Sequence, residues 1–323
     1  MADFILFFLS LFAILASAQA AALHVGPDET YKVPSAAAAV AQDGDTIDIA
    51  AGTYRGDVAV WRASGLTIKG TGGRPVLDAD GKSAEGKAIW VVKGDFTTIE
   101  NIAFMNEKVG DRNGAGIREE GRDLIVSHCL FRNNQEGILS GSDHESQIYI
   151  EDSEFDHNGA GDGYSHNLYI GEVGKLVVKR CYLHNAVVGH NLKSRALESV
   201  VTDSRIADEM NGNSSYDLDF PNGGKVLLAF NVIQQGPHTE NSTIIAYGAE
   251  GLRPSGNVFV AKGNTVINQR PGGGRFLFLA IGTQLADLVG NIFVGKGEVP
   301  DLPEIRKRND FTMALPPNAN WRP

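Results

Sequence analysis

TTIENIAFMNE (residues 97–107), DLIVSHCLFRNN (123–134), QIYIEDSEFDHN (147–158) and KLVVKRCYLHN (175–185) are versions of one pattern, a short β-branched strand followed by a turn rich in Asn and Gly. ESVVTDSRIAD (198–208), KVLLAFNVIQQG (225–236) and DLVGNIFVGKG (287–297) repeat it. Neighbouring starts lie roughly 23 to 29 residues apart, a period that marks a stacked solenoid. Each repeat carries a second short strand upstream, as in GIREEG (116–121), NLYIGE (167–172) and HNLKSR (190–195).

A unit of two or three short strands cannot bury its own apolar face and must stack on its neighbours. The leucine-rich pattern is absent, and propeller blades need about 40 residues or more. What remains is an all-β chain, a single-stranded right-handed parallel β-helix of about eight or nine coils. Over nearly all of residues 21–298 it resembles the pectate-lyase-like superfamily. Pro34-Ser35 followed by AAAAVAQ (36–42) predicts a short cap helix over about 34–42, and GDTIDIAAGTYRG (44–56) resembles the first coil of such proteins. Residues 299–323 read as an irregular C-terminal segment.

Phe4 to Ala16 is an apolar run followed by Ala18-Gln19-Ala20, which predicts a signal peptide over 1–20, cleaved after Ala20. The expectation is a secreted or periplasmic protein with no membrane span in the mature chain. A formal net charge of −10 argues against nucleic acid as partner, and an acidic polysaccharide would need a local basic site. Cys129, Ser153, Cys181, Ser204 and Asn231 fall at one position in successive coils. Strands about 4.8 Å apart would set the two cysteines roughly 9.6 Å apart, too far for a disulfide.

Taking Ile117, Ile138, Leu168, Leu192, Leu218 and Ile244 as inward residues fixes what faces out. One outward column reads Arg118, Leu139, Tyr169, Lys193, Asp219, Ile245. Its neighbours read Asn167, Asn191, Asp217, Thr243 and Gly171, Arg195, Pro221, Tyr247, with His166, His190 and Tyr216 just upstream. Titratable groups therefore gather on one face of three coils. The loops 157–166 and 234–242 interrupt the period beside that patch, as insertions on a binding face do.

His190-Asn191-Leu192-Lys193-Ser194 resembles the Asn-Lys-Ser strand of the alginate lyase and chondroitinase B family. The resemblance implies a uronate polysaccharide lyase with Lys193 as base, an assisting Arg, and carboxylates holding calcium. One coil later the family's Leu-Arg-His segment is replaced by Asp217-Leu218-Asp219-Phe220-Pro221, so Arg195 would fill the arginine's place. β-Elimination needs the carboxylate neutralised, a base for the C5 proton, and an acid for the leaving oxygen. Lys193 is the candidate base, Arg195 the carboxylate clamp, and Tyr169, His166 or His190 the acid. Asn167, Asn191, Tyr216, Tyr247 and Arg118 are candidate substrate contacts; Asp217 and Asp219, with Asn191, would hold Ca²⁺. Two alternatives stay open. Asp217 and Asp219 could serve an inverting glycoside hydrolase, which needs carboxylates about 6.5–9.5 Å apart, or the protein could bind carbohydrate without catalysis, with Lys193 and Asp219 a plain cross-coil ion pair.

Overall fold

From the strand at Thr97 onward, one left-handed residue sets each bend between the first and second strands of a coil. Asn101, His128, Asp152, Arg180, Asp203 and Phe230 take φ of 49° to 58° there, and Gly263 and Gly290 follow at the same place. That conformation costs an ordinary L-residue roughly 1–2 kcal/mol, a cost offset by the hydrogen bonds that each corner makes with the next. The computed structural model describes residues 20–301 and 303–321. The predicted signal peptide, all but Ala20, lies outside the described residues.

Three parallel sheets run along the molecule. Sheet 1 has eleven strands from Ala22–Val25 to Leu285–Val289, sheet 2 eleven from Thr53–Arg55 to Asp310–Thr312, and sheet 3 nine from Ala59–Trp61 to Arg275–Leu279. The chain visits the sheets in turn and each strand pairs with its equivalent one turn away, giving a right-handed parallel β-helix of about ten turns. The repeat motif misses two of those turns. Thr67–Thr71 with Val76–Asp78 bends through Gly72 and Gly73 in place of a single left-handed residue, and Val258–Lys262 with Thr265–Asn268 follows a long connection, residues 248–257.

The core fills the space between the sheets. Phe104, Phe131 and Phe155 stack with centroids 5.0 and 4.7 Å apart, and Trp90 meets Phe104 edge-on at 5.0 Å. These spacings match the strand repeat of about 4.8 Å, so identical residues on successive turns pack as columns. The N-terminal helix spans Pro34–Ala38, shorter than the expected 34–42. The C-terminal segment is more regular than its sequence suggests. It forms a helix, Pro303–Arg308, and a strand, Asp310–Thr312, that pairs with Ile292–Gly295. Beyond them Ala319 packs on Val232, Ile267 and Val294, and its carbonyl accepts a hydrogen bond from the buried Arg205 (2.6 Å). No helix among the described residues is long and apolar enough to cross a membrane.

The column of Cys129, Ser153, Cys181, Ser204 and Asn231 is a ladder. Ser153 Oγ accepts from the Cys129 N–H (3.1 Å), Ser204 Oγ from the Cys181 N–H (3.0 Å), and Asn231 Oδ1 from the Ser204 N–H (3.0 Å). Asn264, Asn291 and Asn309 continue it. Asn264 accepts from the Asn231 backbone and amide and donates to Leu228 O (2.9 Å) and Asn291 Oδ1 (2.8 Å). Replacing Asn264 with Ala should therefore lower stability by about 2 kcal/mol, because buried backbone groups lose their partners; an unchanged urea midpoint would contradict the ladder's role. Both cysteines are buried and free, and burial pushes each thiol up to about 12. Thiol reagent at pH 8 should label neither in the native protein and both after denaturation. Fast native labelling of either would count against this packing.

Candidate functional site

In mid-stack the strands of sheet 3 shrink to three residues, Leu168–Ile170, Leu192–Ser194 and Leu218–Phe220. With the flanking Leu, Ile and Phe turned inward, the central residue of each faces out. The register pairs Arg118 with Leu139, Leu139 with Tyr169, Tyr169 with Lys193, and Lys193 with Asp219. This is the outward column expected from sequence as far as Asp219; the next member is Ala246, not Ile245. Arg118 stands two turns from Tyr169 with Leu139 between them, and its guanidinium points toward Glu120 (3.9 Å). It is on the face but apart from the cluster.

A second row lies upstream. The His166 N–H donates to Glu136 Oε2 (2.9 Å), and the His190 N–H donates to His166 Nδ1 (2.9 Å). The two imidazoles stack 4.5 Å apart, and Tyr216 lies 5.0 Å from His190. His190 Nδ1 is 3.4 Å from Asp219 Oδ2, which joins the rows. Downstream, Arg195 Nε donates to the Tyr169 hydroxyl (3.1 Å), and its fork reaches Asn222 and Glu250. Lys193 Nζ is 3.0 Å from Glu250 Oε1 and 3.6 Å from Asp219 Oδ2. Both cations also lie over the Tyr169 ring, at 5.7 and 5.9 Å from its centroid.

Burial decides the protonation of the histidines. It pulls His190 down to about 3, with Lys193 adding to the effect, and holds His166 well below its ordinary value beside His190 and Lys193. Both are neutral imidazoles at pH 7, so the expected acid role does not fit them, and Tyr169 is left as the candidate. Burial lifts Asp219 to about 6 although Lys193 opposes it, and holds Glu136 far above the carboxylate range. Glu136 Oε1, His190 Nδ1 and Asp219 Oδ1 are buried with no hydrogen-bond partner among the described residues.

Three expectations fail for one reason each. Asn167 and Asn191 are fully buried and do not face a substrate. Asn158 donates to Asn167 Oδ1 (2.8 Å), Asn167 to Asn191 Oδ1 (2.8 Å), and Asn191 to Asp217 Oδ1 (2.9 Å), a second ladder inside the corner that leads into sheet 3. Asp217 ends that ladder, with burial and the nearby Asp208 holding its carboxyl well above the ordinary range. It is thus withdrawn both from a metal and from a hydrolytic pair with Asp219. Tyr247 is buried in the core, because Leu218 pairs with Ile245, one residue off the expected Ile244. Its hydroxyl donates to Gly224 O (2.7 Å).

The donors around Asp219 do not suit calcium, since its neighbours are Lys193 and an imidazole. Among the described residues the one trio of ligand atoms within metal reach is Glu154, Asp156 and His184 on sheet 2. Arg132 already meets both of those carboxylates, at 3.4 and 2.8 Å. Sequence reasoning missed Glu136, Asn222 and Glu250. For Glu250 a signal existed, the extra length of residues 248–257 beside the patch.

No protein-family model matches the chain, and no curated protein matches it in sequence. Among solved structures, the pectate lyase Pel9A aligns at a TM-score of 0.51 and 13% identity over 84% of this chain and 79% of that one. A pectin methylesterase from Aspergillus niger aligns at 0.49 and 14% over 93% and 92%, and a point mutant of the PL6 family alginate lyase AlyGC at 0.35 and 15% over 90% and 53%. The likeness to the pectate lyase is one of fold, the pectate-lyase-like right-handed β-helix.

The buried acids set a pH dependence. Burial lifts Glu107 and Glu119 to about 7 and Asp219 to about 6. The folded protein then keeps protons that an unfolded chain releases near pH 4, so these acids cost stability as pH rises through 6 to 7; the neutral buried His166 and His190 add stability as pH rises toward 6.5, but the acids, joined by Glu136 and Asp217, outnumber them. Melting temperature should be higher at pH 5 than at pH 8, and Asp219→Asn should shrink the difference. Each kcal/mol corresponds to about 2–4 °C in a large domain. A melting temperature that rises from pH 5 to 8 would refute the assignment.

Proposed function

We propose that this pectate-lyase-like β-helix binds an acidic, uronate-containing polysaccharide along the open face of sheet 3 and cleaves it by β-elimination. One observation carries the reading. Lys193 and Arg195, two places apart on the chain, converge on a single carboxylate, that of Glu250, beside a phenol and a buried aspartate. A cation pair that grips one carboxylate has the chemistry to grip the carboxylate of a uronate, with Arg195 supplying the planar fork.

In the reaction the C5–H and C4–O bonds break and a C4–C5 double bond forms. Charge that builds on the substrate carboxylate is stabilised by Arg195. Lys193, in its neutral form, takes the C5 proton. The Tyr169 hydroxyl gives its proton to the leaving oxygen, and Arg195 steadies the phenolate. Tyr216, partly exposed beside His190, offers a ring on which a sugar can stack, and Asp219 fixes Lys193 in place. Polymers of this kind are met outside the cytoplasm, the destination that residues 1–20 predict.

The test is incubation with alginate, pectate, glucuronan and glycosaminoglycans. We expect one of them to yield products with the ultraviolet absorbance of an unsaturated uronide. Lys193→Ala should cut that rate at least about 100-fold, the usual worth of a positioned base. New reducing ends without the chromophore would make the protein a hydrolase. Retention of an oligosaccharide with neither product would make it a binding protein. Either result overturns the proposal.

A further inference from the structure

Glu250 reaches the site from an enlarged corner. The connections Arg195–Leu197 and Pro221–Gly224 of the two preceding turns take three and four residues, whereas the third takes ten, residues 248–257. The enlarged turn is pinned at its base. The Glu250 N–H donates to Pro221 O (2.9 Å), the Gly251 N–H to Gly248 O (3.1 Å), and the Arg253 N–H to Asn222 O (3.1 Å). Gly248 and Gly251 bracket the residue at φ of 76° and 105°, conformations that suit glycine. Arg253 also donates to the carbonyl of Arg195, so the turn is tied to the segment that carries both cations.

From this base the carboxylate extends back across the neighbouring turn and spends one oxygen on each cation, Lys193 at 3.0 Å and Arg195 at 2.7 Å. The cations are mostly covered, 12% and 21% exposed, while the Glu250 side chain is 46% exposed. Hydrogen bonds from Lys193 and Arg195 bring its carboxyl below the ordinary range against the opposing effect of burial. The open side of the Glu250 carboxylate gives a competing carboxylate a route to both cations.

We infer that Glu250 is an internal stand-in for a substrate carboxylate, filling the Lys193–Arg195 subsite in the free protein and yielding it to an incoming uronate. The inference rests on the proposed uronate ligand. Glu250 screens the two cations from each other's repulsion and makes every ligand displace an anion. It thereby sets selectivity, since a sugar whose carboxyl is esterified or reduced has nothing with which to replace it.

Binding of trimers of galacturonate, glucuronate, mannuronate and guluronate, each beside its carboxyl-reduced counterpart, tests this by calorimetry on the full chain. Glu250→Gln should bind at least one charged trimer about tenfold more tightly than the unaltered protein. Its affinity for the reduced counterpart should change by much less than its affinity for the charged trimer. Glu250→Asp, too short to span both cations, should show the same gain in smaller measure. Unchanged or weakened binding of every charged trimer by Glu250→Gln would overturn the inference and make Glu250 a support for the cations. Elimination by the unaltered protein without a gain in the variant sinks the stand-in alone. A gain in affinity without elimination keeps the stand-in and sinks the lyase chemistry.

Discussion

The polar backbone at the corners of each coil is what this fold must satisfy. Within a strand, hydrogen bonds run to the turns above and below; at a bend that pairing lapses, and an orphaned buried N–H or carbonyl is costly. Two inward ladders meet the need. One runs through Cys129, Ser153, Cys181, Ser204 and then Asn231, Asn264, Asn291 and Asn309. The other starts where Asn134 accepts from the Glu107 N–H and passes through Asn158, Asn167 and Asn191 to Asp217. The second ladder also places the site. Leu168, Leu192 and Leu218 follow its last three members directly and turn inward, which leaves Tyr169, Lys193 and Asp219 outward.

That dependence explains what could be read from sequence and what could not. The period and the β-branched strands gave the solenoid, and counting between equivalent Leu and Ile residues gave the column Tyr169–Lys193–Asp219 in its true register. Alternation is valid only while the chain remains a strand. Carried two residues upstream it entered the corner, where Asn167, Asn191 and Asp217 turn inward despite their polarity. The slip at Ile244 has a different origin. Loop 234–242 adds residues before that strand, so spacing alone could not say whether Ile244 or Ile245 pairs with Leu218. Glu250 was hidden because a long connection reveals that a wall exists, not which of its side chains returns to the face.

Two cations stand together on the face of an acidic chain. The protein carries a formal −10, yet Lys193 and Arg195 stand together two places apart. Their mutual repulsion is met by carboxylates on both sides, Asp219 within the sheet and Glu250 from the turn. The cations in turn disfavour a second positive charge nearby, and with burial they keep His166 and His190 neutral. The imidazoles therefore stand as buried neutral groups behind the face, and the proposed proton transfers are assigned to Lys193 and Tyr169.

A stack of similar coils offers the same face about ten times over, so the fold by itself assigns no reaction. What confines chemistry to three turns is the identity of their neighbours. Leu139 precedes Tyr169 in the outward column and Ala246 follows Asp219, and neither carries a group that can bind charge or move a proton. Between those apolar limits the column offers a phenol, an ammonium and a carboxyl in that order, with a guanidinium alongside. Hydrolysis by two opposed carboxylates would need a partner for Asp219 facing the same open surface. Asp217 is turned into the corner, and Glu250 is held by the cations. The set that is left is the one the proposed elimination would use, a cation pair for a carboxylate beside groups that could move a proton.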